Sequence, residues 1–115
     1  MTINIKATNF DLTDAIRDLV NEKISSLTRY YEPITHADVE VGKENHHHEK
    51  GDDAYFAEVN LDVPGHLVRV RKNSDDLYKA FEKVRDHLKV ELERLKGKTD
   101  RIDREAIREQ KQTDI

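Results

Sequence analysis

The sequence contains no cysteine, only two prolines and four glycines, and aromatic residues make up just 6% of it. Without cysteine there is no disulfide framework, no thiolate metal site and no thiol nucleophile. The glycines are scattered, so they assemble no glycine-rich phosphate loop. Serine is scarce as well: Ser25 and Ser26 fall inside a helical pattern and Ser74 stands where a helix would begin. None has the strand-turn-helix setting of an activated nucleophile. No apolar run approaches the roughly 20 residues of a membrane span, and Met1 to Lys6 lacks the basic-then-apolar order of a signal peptide. These absences argue against an enzyme and for a cytoplasmic protein.

What is present is charge. Of 115 residues, 38% are charged against 36% hydrophobic, which suits one domain with a thin core and much solvated surface. The formal net charge is −4, but its distribution is uneven. From Glu32 to Asp62 there are nine acids and two bases, 2 − 9 = −7; from Arg69 to Lys98 there are ten bases and six acids, 10 − 6 = +4. A phosphate-binding surface needs only the second of these segments.

The hydrophobic pattern gives six elements. Ile3, Ile5 and Ala7 alternate with polar neighbours, the period of a half-buried strand. A helix follows from Asp14 to Tyr31, capped by Thr13, with Ile16, Leu19, Val20, Ile24, Leu27 and Tyr31 on one stripe; Pro33 stops it. Ala37, Val39 and Val41 mark a second strand, and Tyr55, Ala57, Val59 and Leu61 a third. Pro64-Gly65 is a turn signal, and Leu67 to Lys72 alternates as a fourth strand. Ser74 is placed to cap a last helix from Asp75 to Lys96, striped by Leu77, Phe81, Val84, Leu88, Leu92 and Leu95. Residues 1–98 then form one domain, and 99–115 a charged, mobile and partly helical tail. The order β-α-β-β-β-α is an α+β fold: a four-stranded sheet with both helices on one face.

On a wheel of 100° per residue the last helix gathers Lys79, Lys83 and Arg94 in one outward band with His87 at its edge, while Lys89 and Lys96 take the other flank of the apolar stripe. Arg17, Lys23 and Arg29 punctuate the first helix. Such rows of cations suit a phosphate backbone, although Glu and Lys at i,i+4, as around Glu82, Lys83, Arg85 and Asp86, also describe an ordinary solvated helix. His46-His47-His48 with Glu44, Glu49, Asp52 and Asp53 offers metal-ligand chemistry, but a polar run without apolar support reads as a solvated hairpin tip, and no metal or cofactor is expected.

Taken together, Asn4-Ile5-Lys6, Leu12-Thr13-Asp14-Ala15-Ile16-Arg17, Leu27-Thr28-Arg29-Tyr30-Tyr31, Ala57-Glu58-Val59-Asn60-Leu61, Pro64-Gly65 and Asp76-Leu77-Tyr78-Lys79-Ala80-Phe81 resemble the ribosome hibernation-promoting factors, also called ribosomal subunit interface proteins. The resemblance runs from residue 2 to 98. It implies a fold like the double-stranded-RNA-binding domain with an extra strand. It further implies binding to the small ribosomal subunit where messenger and transfer RNAs sit, and inhibition of translation under stress or in stationary phase. Its ribosomal-RNA contacts map here to Arg17, Lys23, Lys79, Lys83, Arg94, Lys96 and Lys98; Arg29, His87 and Lys89 join them by position. The chain departs from the family pattern at Ser26 and within Asp86-His87-Leu88-Lys89-Val90-Glu91-Leu92, where His87, Val90 and Glu91 replace typical contacts. Longer members carry a second domain that pairs ribosomes, for which this chain is too short. A module for other structured RNA and an adaptor using the acidic strand face are the competing readings, and reversing charge at Lys79 and Lys83 is the test the sequence suggests.

Overall fold

The computed structural model describes residues 1–44 and 54–113, with side chains described for 1–44 and 54–98. The histidine run 46–48 lies outside them. Strand β1 (Thr2–Thr8) is followed by helix α1 (Asp14–Ser25), a 3₁₀ turn (Ser26–Arg29), strands β2 (His36–Lys43), β3 (Tyr55–Val63) and β4 (His66–Ser74), and helix α2 (Leu77–Thr113). This is the expected α+β order. The sheet runs β1-β2-β3-β4, mixed in sense: β1 is parallel to β2, and the other pairs are antiparallel. A parallel pair needs a crossover, and α1 supplies it.

Register explains which side is covered. Ile5, Val39, Val59 and Val70 form one cross-strand row, and Ile3, Ala37, Leu61 and Val68 another. Both rows share a core with Val20, Ile24 and Leu27 from the first helical segment and Phe81, Val84, Leu88 and Leu92 from α2. Each large side chain fully withdrawn from water there contributes about 1.5–3 kcal/mol. Both helices therefore lie on one face.

The helix ends differ from the sequence reading in three places. Thr13 Oγ1 accepts from the Ile16 amide at 3.2 Å, the cap expected. The α-helix stops at Ser25 instead of Tyr31. There the Ser26 hydroxyl donates to the Lys23 carbonyl at 2.6 Å and the Thr28 hydroxyl to the Ser25 carbonyl at 2.8 Å, bonds that tighten the chain into a 3₁₀ turn. Asp76, not Ser74, caps α2: its Oδ1 accepts from the Tyr78 amide at 3.0 Å, while buried Ser74 donates to Asp75. At its far end α2 passes Lys96 and runs to Thr113. A single exposed glycine, Gly97, costs about 1 kcal/mol, too little to stop a run of strong helix formers.

The sheet's other face is polar except at its two ends, where Leu67 is exposed and Phe56 is only 4% exposed. The Arg71 guanidinium lies 4.1 Å from its ring centroid, and the ring lies against Gly42. A Cβ at Gly42 would sit 2.7 Å from both the Phe56 ring and the Thr8 carbonyl oxygen. Gly42→Ala is thus expected to lower stability by about 1–3 kcal/mol through overpacking, read as a lower urea midpoint.

Candidate nucleic-acid interface

Charge separates the two faces of the molecule. The open sheet face holds a concavity of about 280 Å³ lined by Asp38, Glu40 and Glu58 against Lys6 alone, with Asn4 and Asn60 beside them. Its carboxylates are already satisfied: Glu40 accepts from Thr8 at 2.6 Å, and Glu58 takes Nε and Nη2 of Arg69 at 3.1 and 2.8 Å. With Arg69 on Glu58, three carboxylates face two cations, an excess of negative charge that disfavours phosphate. The helix side, with fewer carboxylates among its cations, is the better candidate surface for a polyanion.

On that side the end of α1, the 3₁₀ turn and α2 enclose a cleft of about 520 Å³. Lys23, Arg29 and Arg85 line it, together with Ser25, Ser26, Thr28, Tyr30 and Glu22. Lys23 is half-buried, so its stem packs while its ammonium reaches the rim. Lys89 places its ammonium 5.0 Å from the Tyr30 ring centroid, a cation–π pairing that steadies both. Lys96 lines an adjoining cavity with Arg29, Tyr30 and Tyr31. Among the described residues Lys23, Arg29, Lys89 and Lys96 have no carboxylate within ion-pair distance, whereas Arg85 Nη2 is 3.0 Å from Asp86. Three cations from two helical segments line the cleft beside Glu22, with Lys89 and Lys96 next to it; the Ser26 and Thr28 hydroxyls are committed to backbone carbonyls, which leaves those of Ser25 and Tyr30 as donors. Cations with hydroxyl donors are the groups suited to phosphate and sugar oxygens, which carry no sequence information.

The remaining cations face elsewhere. Lys79 lies on the outward crest of α2, 3.6 Å from Asp75. Lys83, His87 and Arg94 occupy the flank toward β4. There Lys83 donates to the Asn73 carbonyl at 3.4 Å, and Glu91 lies 3.5 Å from both His87 and Arg94. Arg17 and Lys23, six residues apart, fall about 240° apart around α1 and so on opposite flanks of its buried stripe. Lys98 is exposed further along α2. The single outward band of the wheel thus meets β4 at one edge, with one carboxylate set between two of its cations. Arg85, Tyr30 and Tyr31 were missing from the sequence-derived set. Arg85 shares the wheel flank of Lys89 and Lys96, a signal that was available.

Comparison with known proteins gives this arrangement a context. The family model described as sigma 54 modulation protein / S30EA ribosomal protein matches residues 3–100. A ribosome hibernation promoting factor of Azotobacter vinelandii is 33% identical over 105 residues, 91% of this chain and 90% of that protein. A ribosome hibernation promotion factor of Deinococcus radiodurans is 34% identical over 89 residues, 76% of this chain, and the chain spans 45% of that protein's length. Among solved structures, the N-terminal domain of Protein Y from Thermus thermophilus matches with a TM-score of 0.69 at 32% identity, covering 83% of this chain and 99% of that one. A ribosomal subunit interface protein from Coxiella burnetii shares the fold, with a TM-score of 0.72 at 21% identity over 84% of this chain and 99% of that one.

Proposed function

Since the chain belongs to the sigma 54 modulation protein / S30EA ribosomal protein family, we propose that it is a ribosome hibernation factor that binds the small ribosomal subunit through ribosomal RNA. In this reading it occupies the channel of messenger and transfer RNAs, holds translation down under stress or in stationary phase, and catalyses no reaction. The carrying observation is the interhelical cleft, where Lys23, Arg29 and Arg85 converge with Lys89 and Lys96 at its border. RNA helices display phosphates and 2′-hydroxyls across a wide shallow groove, so a cleft of cations and hydroxyls engages them by shape and charge. Bound in that channel, the protein silences the subunit by occupancy. Among the described residues no helix is long and apolar enough to cross a membrane.

Sedimentation with purified small subunits tests this reading. Each cation set against a phosphate releases counterions, so the logarithm of the binding constant should fall with the logarithm of salt by roughly 0.7–0.9 per contact. The three cations lining the cleft, with Lys89 and Lys96 beside them, then give a slope of about 4. Absence of the protein from the small-subunit pellet at low salt would sink the proposal. Equal binding to naked duplex RNA would point instead to a module for structured RNA in general.

The flank toward β4 makes a separate prediction. Glu91 lies between His87 and Arg94, where its charge opposes any phosphate. With the cleft as the RNA-binding surface no phosphate reaches that flank, so Glu91→Gln is expected to change small-subunit binding by less than about twofold. Titration of labelled protein into small subunits measures it.

A further inference from the structure

At the lower end of the cleft lies a second cavity of about 300 Å³, walled by Arg29, Tyr30, Tyr31, Glu32, Pro33 and Lys96. Arg29 and Tyr30 also line the larger cleft, so the two spaces are contiguous. The backbone that carries its aromatic wall is held in place. The Tyr30 and Tyr31 amides both donate to the Leu27 carbonyl, at 3.0 and 3.3 Å, and Leu27 itself is fully buried. Both rings are half-buried against the core. Lys89 takes one face of Tyr30, while among the described residues no cation lies over Tyr31. Arg29 and Lys96 are exposed at the rim.

Phosphate tracking alone does not call for an aromatic wall. Two rings packed against the core beside two cations, which outnumber the one carboxylate of Glu32, match a flat π-system joined to a phosphate. A duplex keeps its bases stacked inside and cannot present one, whereas loops, bulges and ends can. We propose that this cavity takes one unstacked nucleotide of single-stranded RNA, its base stacked on Tyr31 and its phosphate between Arg29 and Lys96. The inference rests on the reading that the helix side binds ribosomal RNA, and it adds a preference for a single-stranded position there.

Tyrosine emission provides the readout, because the chain has four tyrosines and no tryptophan. The full chain is titrated with a short oligoadenylate and with a blunt RNA duplex. The oligoadenylate should quench emission saturably and bind more tightly than the duplex. Tyr31→Leu keeps an apolar side chain against the core but removes the ring, and should weaken oligoadenylate binding about tenfold. Tyr78→Leu, at the opposite end of the described part of α2, should leave it unchanged. As a readout independent of any variant, photo-cross-linking of the unaltered protein should place the adduct within residues 29–33. Binding indifferent to Tyr31→Leu, equal affinity for strand and duplex, or an adduct elsewhere would overturn the inference. Failure of the unaltered protein to pellet with small subunits would instead overturn the wider reading, whatever the oligoadenylate does.

Discussion

Reversing two charges in the cleft, Arg29→Glu with Lys89→Glu, should leave the protein folded and cut its co-sedimentation with small subunits at least tenfold. Both side chains are exposed, and the structural cost is confined to the Lys89–Tyr30 contact, about 0.5–1 kcal/mol at an exposed site. Removing two phosphate contacts should also lower the salt slope by roughly 1.5. The informative control is Lys79→Glu with Lys83→Glu. It changes net charge by the same four units, so a difference between the two variants reports placement instead of overall repulsion. Lys79 is already near Asp75 and Lys83 near the Asn73 carbonyl, so the crest variant should lose several-fold less. Should the crest variant lose more, the cleft is not the surface that meets RNA.

The distinction between crest and cleft shows where sequence reasoning ran out. Alternation at Ala37, Val39, Val41 and at Ala57, Val59, Leu61 was enough to place β2 and β3, because one face of the sheet is covered and the other is wet. The same logic assigns Phe56 to water, and it fails there because Arg71 and the missing side chain of Gly42 let the ring lie flat against the sheet. The end of α1 escaped detection because Leu27 keeps the apolar stripe unbroken while the Ser26 and Thr28 hydroxyls redirect the backbone locally. A wheel ranks the cations of one helix by angle. It carries nothing about which flank a second helix will face. Lys89 and Lys96 were therefore paired on one flank with Lys23 and Arg29 apart from them, and the grouping of all four around one cleft came only from the packing of both helical segments on the sheet.

That dependence sets the second large effect. Leu88 has no exposed surface and belongs to the core shared by both helical segments and the sheet. Leu88→Ala should cost about 3–5 kcal/mol, the transfer loss plus the cavity left behind. A domain of this size has about 5–15 kcal/mol in total, so the urea midpoint should fall by about a fifth or more while the slope of the transition stays unchanged. Val90→Ala, two residues along the same helix but 52% exposed, should stay within about 0.5 kcal/mol. Loss of small-subunit binding in Leu88→Ala should track loss of helical circular dichroism as temperature rises, because α2 holds one wall of the cleft only while it is docked. In the cleft double variant, binding should vanish with the dichroism intact. If Leu88→Ala instead melts like the unaltered chain, α2 is not seated on the sheet as described, and the cations of the cleft lose the common scaffold that brings them together.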